Sequence, residues 1–178
     1  MFLFDMLFGR KAPVASVAPK PAAPVKDTAG RAPGTAINHD PQLIEHLQDE
    51  HRKMLDLFGS IIGASQSGKL SEAQDLLERF RTAIMDHLLK ENVRLYIYLE
   101  HVLVDDPIAH DLMHGFRREM DAIGRVVVEF LGKYKSIGSR PDLAGAFAAD
   151  LAGIGGALAA RIHREEETLY PMYQPPAH

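Results

Sequence analysis

The sequence predicts an all-α fold, an antiparallel up-down-up-down four-helix bundle that follows a disordered N-terminal tail. Apolar residues recur at helical spacing in four stretches between residues 40 and 171, and short polar loops separate these stretches. No stretch shows the strict apolar–polar alternation of a strand or the turn residues of a hairpin. Long helices joined by short loops pack as antiparallel neighbours, so we expect the bundle to span residues 39–174, with a tail at 175–178.

Two segments precede the predicted bundle. Residues 1–10 begin with the apolar string MFLFDMLF, and the positive charges of Arg10 and Lys11 follow it. A secretory signal carries its positive region before the apolar core, so we expect a retained segment and a cytoplasmic protein. The segment is interpreted either as an anchor that contacts a protein partner or, weakly, a membrane, or as a turn that folds back on the domain. Residues 11–38 are rich in alanine and proline and predict a linker.

Polar caps and prolines mark where the helices start and end. An acid followed by proline is the order expected of an N-cap and a first helical residue, and it occurs at Asp40 and again at Asp106. Ser71 is the expected cap of the second helix, and Pro171 ends the fourth. The apolar stripes of the four helices include, in order, Leu47 and Phe58, Phe80 and Ile84, Phe116 and Val127, and Phe147 and Leu151.

Composition narrows the function classes. The formal net charge is −4 with acidic and basic residues interspersed, so the sequence lacks the basic stripe of a nucleic-acid-binding protein. The absence of cysteine excludes disulfides, cysteine-type zinc sites and thiol catalysis. No apolar run in the sequence approaches the length of a membrane-spanning helix.

The motif His-x-x-x-Glu occurs twice, at His87/Glu91 in the second predicted helix and at His163/Glu167 in the fourth. Four residues make about one helical turn, so the two side chains of each motif share a face. We expect both faces to be buried, and a buried carboxylate is costly unless it is paired or bound to a cation. The two rows are Phe80, Ile84, His87, Glu91, Leu95 and Tyr98, and Gly156, Ala159, Ala160, His163, Glu167 and Tyr170.

The first and third helices supply further candidates. His51 lies in the apolar row of the first helix and is about level with the second-helix motif when residues are counted from the connecting turn. On the third helix Glu119 and Met120 lie at this level. His110 and His114 are displaced from it and share a face with charged residues, so we expect them to be solvated.

The predicted metal ligands are therefore His51, His87, Glu91, His163 and Glu167, with Glu119 as a further candidate. Imidazole and carboxylate without thiolate suit iron, ahead of manganese or zinc, and two carboxylate-bridged ions are usual in such bundles. The alternative is a polar core layer of hydrogen-bonded His/Glu pairs without metal.

Two tyrosines and two further acids lie near the motifs. Tyr98 and Tyr170 share faces with the two motifs and are expected either to orient the ligands by hydrogen bonds or to bury their rings with the hydroxyl in water. The adjacent acids Glu165 and Glu166 are expected to lie on a solvated face.

These elements resemble the hemerythrin-like, HHE cation-binding family. The segments DEHRKML, DHLLKENVRLYIYL and RIHREEETLYPMY match the family's histidine on the first helix and its His-x-x-x-Glu motifs on the second and fourth, over residues 40–173. The resemblance implies a non-haem di-iron centre that binds or senses dioxygen, nitric oxide or redox state. It further implies the following roles: terminal ligands His51, His87 and His163, and bridging carboxylates Glu91 and Glu167.

The third helix departs from the family pattern. The family often has Glu-His there, whereas this sequence has Glu119-Met120. A thioether is a poor ligand for ferric iron. Either Glu119 completes the coordination, or one iron keeps an open position, or the second metal binds weakly.

Three functions compete at the level of sequence. The first is a metal-binding sensor or carrier for a small diatomic ligand, and the second is an iron-handling, repair or oxidase enzyme at the same centre. The third is a metal-free module, because the same segments are faintly similar to helical regulators that sequester the principal bacterial sigma factor. The sequence identifies no substrate pocket, so the sensor or carrier is favoured over the enzyme.

Overall fold

The computed structural model describes residue 32 and residues 36–176. The predicted apolar segment 1–10 and most of the predicted linker lie outside the described residues. Near the end of the linker, Ala32 is buried, and its backbone N–H donates a hydrogen bond to the carbonyl of Ile37 at 2.8 Å. Ala32 therefore packs in the same apolar cluster as Leu43 and Tyr98.

The described chain forms four long helices, which confirms the predicted helical bundle. The first long helix is α1 and the third is α4. The second consists of α2 and α3, which a π-helical segment joins into one long helix. Their bounds are α1 Leu43–Gln66, α2 Leu70–Lys90, the π-helical segment Glu91–Tyr96, α3 Ile97–Val102 and α4 Pro107–Lys133.

The fourth long helix is entered through two short 3-10 turns and also contains a π-helical segment. Because short loops join successive helices, neighbours run antiparallel. The bounds are 3-10 turns Ile137–Ser139 and Pro141–Leu143, α5 Ala144–Arg164, the π-helical segment Glu165–Leu169 and a closing 3-10 turn Tyr170–Met172.

The predicted helix starts differ in accuracy. Asp106 caps α4 as predicted, since its Oδ1 accepts a hydrogen bond from the backbone N–H of Ala109 at 3.0 Å. The prediction of Ser71 as the cap of α2 is wrong, because that helix begins one residue earlier. Asp40 precedes α1 by three residues, and its Oδ1 instead accepts from the N–H of Gln42.

The core consists of two apolar clusters with a polar layer between them. One cluster includes Phe58 of α1 and Phe147 of α5, and the other includes Leu47 of α1 and Phe116 of α4. Along each of the two long helices that carry a π-helical segment, buried polar residues separate the two clusters. The buried polar and charged residues are His51, His87, Glu91, Arg161 and Glu165.

The helical stretch Pro141–Met172 is long and apolar enough, by length and composition alone, to cross a membrane, with a mean hydropathy of 1.6 in its most apolar window. The sequence-based expectation that no stretch reaches this length is therefore wrong. Only 17% of that window is buried in the bundle, and its small residues Ala152, Gly153, Gly156 and Ala160 are all exposed. The same stretch places Arg161 in the polar layer.

Two adjacent glycines of α5 lead to a prediction about stability. A Cβ on Gly155 would lie 2.7 Å from Cε1 of buried Phe58, whereas a Cβ on Gly156 would meet nothing within 4 Å. Gly155→Ala is expected to lower the free energy of unfolding by about 1 to 3 kcal/mol through overpacking. Gly156→Ala is expected to raise it by up to about 1 kcal/mol. Urea denaturation measures both, and an equal effect of the two changes would contradict the close contact at Phe58.

Candidate metal centre

Four side chains of the polar layer bring their ligand atoms together. They come from α1, from α2 and from the first residue of each π-helical segment. One nitrogen or oxygen atom from each lies within 4.8 Å of the others, and all four residues are buried. The four are His51, His87, Glu91 and Glu165.

Each π-helical segment begins at one of the two buried glutamates, Glu91 and Glu165. A π-helical turn closes its hydrogen bond five residues along the chain, one residue more than an α-helical turn. A buried tyrosine, Tyr96 or Tyr170, therefore lies five residues after each glutamate, and the local winding carries both residues of each pair into the bundle. Segments of this kind are frequent at functional sites.

The two histidines are oriented by carboxylates outside the cluster. Nδ1 of His51 lies 2.8 Å from Oε1 of Glu166, and Nδ1 of His87 lies 3.1 Å from Oε2 of Glu50. An ionised carboxylate only accepts hydrogen bonds, so each Nδ1 donates. The two Nε2 atoms face each other at 3.1 Å, which requires either a proton or another cation at this point. Outward Nδ1–H donation to an acceptor is the usual arrangement of metal-bound histidines.

The pKa values of the two histidines move in opposite directions. Burial lowers the pKa of His51, but its hydrogen bonds to Glu165 and Glu166 outweigh burial and raise the pKa above the usual range. Burial and the nearby charge of His51 lower the pKa of His87 to about 4. The positive charge is therefore held more readily by His51 than by His87.

Glu91 is fully buried and only half satisfied. Its Oε1 accepts a hydrogen bond from the Tyr170 hydroxyl at 3.0 Å, whereas its Oε2 has no hydrogen-bond partner among the described residues. That oxygen lies 3.8 Å from Nε2 of His87. Burial and the negative charge of Glu165 raise the pKa of Glu91 to about 8. Such a carboxyl group is either protonated or bound to a cation.

Glu165 is ionised and divides its two oxygens between two cations. Its Oε1 accepts from Nε of Arg161 at 2.5 Å, and its Oε2 lies 3.3 Å from Nε2 of His51. Burial raises the pKa of Glu165, but His51 and Arg161 outweigh burial and lower the pKa overall. Its Oε2 therefore lies beside Nε2 of His51, within the cluster of four ligand residues.

The spacing of these atoms fits a single first-row metal ion. Ligand bonds of about 2.0 to 2.1 Å in tetrahedral geometry place ligand atoms roughly 3.3 to 3.4 Å apart. The corresponding separations are 3.1 Å between the two histidines, 3.3 Å from His51 to Glu165 and 3.8 Å from His87 to Glu91. The donor set therefore suits a metal with small adjustments of the side chains.

Arg161 places a permanent positive charge beside the cluster. Besides the ion pair with Glu165, its Nη2 donates to the hydroxyl of Tyr96 at 2.9 Å, and its guanidinium lies 5.0 Å from the ring centre of Phe116. Nη1 also lies 3.4 Å from Oε2 of Glu119. The guanidinium thus occupies the position on the fourth helix one turn before the buried glutamate.

The predicted inward orientation of His163 and Glu167 is wrong. Their side chains are 69% and 64% exposed, and they pair with each other at 3.2 Å on the outside of the bundle. Two causes act together. The row of small residues used to orient this face is itself exposed. Counting back from buried Tyr170 at α-helical spacing also crosses the π-helical segment, whose additional residue shifts the face. Glu165, expected in solvent, is consequently the buried acid.

The third helix presents Met120, not Glu119, to the cluster. Met120 is buried and lines the cavity beside the two histidines. Glu119 is 44% exposed and accepts a hydrogen bond from Nη1 of Arg164 at 2.6 Å. The other predicted ligands, His51, His87 and Glu91, are buried and lie together. That they bind metal stays a prediction.

One sequence signal identifies the buried pair of glutamates. The strings ENVRLY and EEETLY share Glu-x-x-x-Leu-Tyr, and each begins at the buried glutamate. Aligned on this pattern, Arg161 stands where the second helix has His87. The tyrosines then cross between the helices, because Tyr170 donates to Glu91 while Tyr96 accepts from Arg161. Tyr98 does not hydrogen-bond to a ligand residue, because its hydroxyl donates to the carbonyl of Gln174.

A small cavity adjoins the ligand atoms. Its volume is about 50 Å³, and its walls are mostly apolar, including Phe58, Phe80, Ile84 and Met120. One water needs about 10 to 15 Å³ on this measure, so the cavity has room for a diatomic molecule beside the cluster.

Comparison with known proteins now decides the family. The model of the hemerythrin HHE cation-binding domain matches residues 42–173. The chain belongs to the hemerythrin HHE family. Comparisons with curated proteins and with solved structures gave no match. In this HHE domain, Met120 stands on the third helix where the family often has histidine, and Arg161 takes the place on the fourth helix that corresponds to His87 on the second.

The metal-free HHE domain is expected to lose stability as the pH rises from about 6.5 to 8, because below 6.5 the lowered pKa of His87 acts in the opposite direction. Glu91 ionises near 4.5 in the unfolded chain but near 8 in the folded one. In this window the folded state therefore keeps a proton that the unfolded state has released, and raising the pH favours unfolding. Urea denaturation in the presence of a chelator measures the slope, and Glu91→Gln should have a flatter pH profile. Identical profiles would contradict a raised pKa at Glu91.

Proposed function

We propose that this HHE domain binds non-haem iron through His51, His87, Glu91 and Glu165 and uses it to bind or sense dioxygen, nitric oxide or redox state. The observation that carries the proposal is the buried Oε2 of Glu91, which has no hydrogen-bond partner among the described residues and lies 3.8 Å from Nε2 of His87, within the cluster of four ligand residues. Bound iron would supply a redox-active centre with room for an exogenous ligand.

The proposed iron content is one ion per chain. The sequence and the family resemblance predict two, but the residues that converge here supply four ligand atoms around one point. A second ion would have to share the carboxylates of Glu91 and Glu165 while lying close to the guanidinium of Arg161, and like charges repel strongly in a buried site. We infer that Arg161 takes over the charge of the second ion.

The apolar cavity supports a small ligand. Apart from the four ligand residues and Arg161, the lining of the cavity is almost entirely apolar, and the volume of the cavity is small. Dioxygen and nitric oxide are uncharged and compact, so they fit such walls better than a polar substrate does. This favours a sensor or carrier over an enzyme that acts on a larger molecule.

The proposal extends to the location of the protein. We place it in the cytoplasm, with residues 1–10 contacting a protein partner or, weakly, a membrane, because this apolar segment lacks the charge order of a secretory signal. The linker would then connect the anchor to the iron-binding bundle.

Metal analysis of the purified chain tests the proposal. After anaerobic loading with ferrous iron and removal of the excess, elemental analysis is expected to give about one iron per chain. Nitric oxide should then produce a new visible absorption band, and the melting temperature should rise with iron concentration, since a ligand bound only by the folded state stabilises it. Failure to retain iron, with an unchanged melting temperature, would overturn the proposal. Two irons per chain would restore the di-iron prediction.

A metal-free regulator is the second candidate, and Arg161 favours it. Its guanidinium already compensates the charge of Glu165 without a metal. Exposed Met85, Leu89 and Val93 also follow one another at four-residue steps along the α2 side of the bundle, which gives a protein partner an apolar stripe. A stable chain that retains no iron would support this candidate. Turnover of peroxide by the loaded chain would instead support the enzyme.

A further inference from the structure

A second cluster of metal-binding side chains lies outside the polar layer, where α3 meets the start of α4. His110 and His114 are four residues apart on α4, and their Nε2 atoms lie 3.2 and 3.3 Å from Oε1 of Glu100 on α3. We propose that these three residues form a separate site for Zn²⁺ or a similar divalent ion that prefers imidazole. This site is independent of the iron proposed for the buried layer.

The geometry converges on one point. Two histidines at positions i and i+4 point from the same face of a helix, and their ring centres lie 4.5 Å apart. Tetrahedral zinc holds its nitrogen and oxygen ligands roughly 3.3 to 3.4 Å apart, which matches both nitrogen–oxygen distances. Three protein ligands leave a fourth position for water, the arrangement of zinc sites that remain open to solvent.

The carboxylate of Glu100 is not satisfied by the two histidines alone. Both imidazoles approach its Oε1, while its buried Oε2 has no hydrogen-bond partner in the described part of the chain. The cation nearest to Oε2 is Nη1 of Arg117 at 4.0 Å. A divalent ion between the three side chains would accept one lone pair from each imidazole and compensate the negative charge of the carboxylate.

The local structure holds the ligands in place and leaves them accessible. Asp106 caps the first turn of α4, directly before His110. The side chains of His110, His114 and Glu100 are 27%, 34% and 34% exposed, so an ion can reach them from solvent. The solvated position of the two histidines is predicted from their level and from the charged residues on the same face, whereas their acidic partner Glu100 lies on another helix.

The chain contains a matched control for this site. His163 and Glu167 also form a histidine–glutamate contact at 3.2 Å across one helical turn, but with only two ligands and greater exposure. If any exposed histidine near an acid sufficed, this pair would bind zinc as well as the three-residue cluster does.

Zinc titration of the full-length chain with ¹⁵N-labelled histidine tests the proposal. The Nε2 signals of His110 and His114 are expected to shift together, at Zn²⁺ concentrations that leave His163 unchanged. Equilibrium dialysis should show that His114→Ala and Glu100→Gln each lose about one bound Zn²⁺, because loss of an outer ligand partner alone costs 10- to 100-fold in affinity and loss of a ligand costs at least as much. His163→Ala should retain it.

Two results would overturn the site. One is unchanged zinc stoichiometry and affinity in both His114→Ala and Glu100→Gln. The other is a shift of the His163 ring at the same zinc concentration as His110 and His114, which would indicate adsorption to any exposed histidine. Glu100→Gln keeps the size of the side chain, so it tests the site even if an alanine variant folds poorly. Circular dichroism checks the fold of each variant.

Discussion

Glu91→Gln is expected to abolish iron binding while leaving the metal-free bundle folded. The amide keeps the size of the side chain and can still accept from Tyr170, but it removes the negative charge and the oxygen that faces His87. Affinity should fall by more than about 100-fold, since loss of an outer hydrogen-bond partner already costs 10- to 100-fold. At iron concentrations of about 100 times the dissociation constant, the wild type should gain about 2.7 kcal/mol in unfolding free energy and the variant almost none.

Glu167→Gln is the matched control for this prediction. The sequence and the family resemblance assign Glu167 a bridging role, whereas the structure exposes it on the outside of α5 and its π-helical extension. Iron content and the iron-dependent rise in stability should equal those of the wild type. Equal loss in Glu91→Gln and Glu167→Gln would contradict the buried cluster and restore the motif as read from the sequence.

Arg161→Met is expected to destabilise the metal-free chain by about 3 to 5 kcal/mol. The change removes one partner of a buried ion pair and leaves the carboxylate of Glu165 without its closest positive charge, and breaking such a pair typically costs this much. It also removes the hydrogen bond to Tyr96. Iron should then stabilise the variant more than it stabilises the wild type, because the metal restores the missing charge. Urea denaturation with and without iron measures both effects.

Arg164→Met provides the comparison on the same helix. Arg164 also binds a glutamate, Glu119, but its side chain is 52% exposed. Exposed ion pairs contribute about 0 to 1 kcal/mol, so this variant should remain within about 1 kcal/mol of the wild type. An equally small effect of Arg161→Met would mean that Glu165 does not depend on the guanidinium.

The fold was predictable because the apolar stripes have a regular helical period. Upstream of the first π-helical segment, Phe80, Ile84 and His87 follow one another at three- and four-residue steps, and all are buried. The same regular spacing carries the pattern to Glu91. Counting residues from the connecting turn places His51 beside the second-helix motif, because a short loop fixes how far two antiparallel helices are shifted along each other.

The fourth helix could not be read in the same way. Its exposed face is built of alanine and glycine, so hydropathy alone does not distinguish outside from inside. The buried residues one turn apart are Arg161 and Glu165, and charged side chains are rarely fully buried unless paired. Their partner Tyr96 lies on another helix, so its contact becomes visible only in three dimensions.

The π-helical segments set limits on how this bundle tolerates changes in length. One additional residue in a turn rotates everything beyond it by about 100° around the helix axis. Each of the two long helices that contain a π-helical segment therefore has one rotational phase before Glu91 or Glu165 and another after it, and each of the two apolar clusters packs against its own phase. Deleting one residue after either glutamate would keep the carboxylate in place but turn Leu95 or Leu169 and the neighbouring tyrosine out of the second cluster. The four-residue cluster thus lies where the rotational phase of two helices changes, between the two apolar clusters.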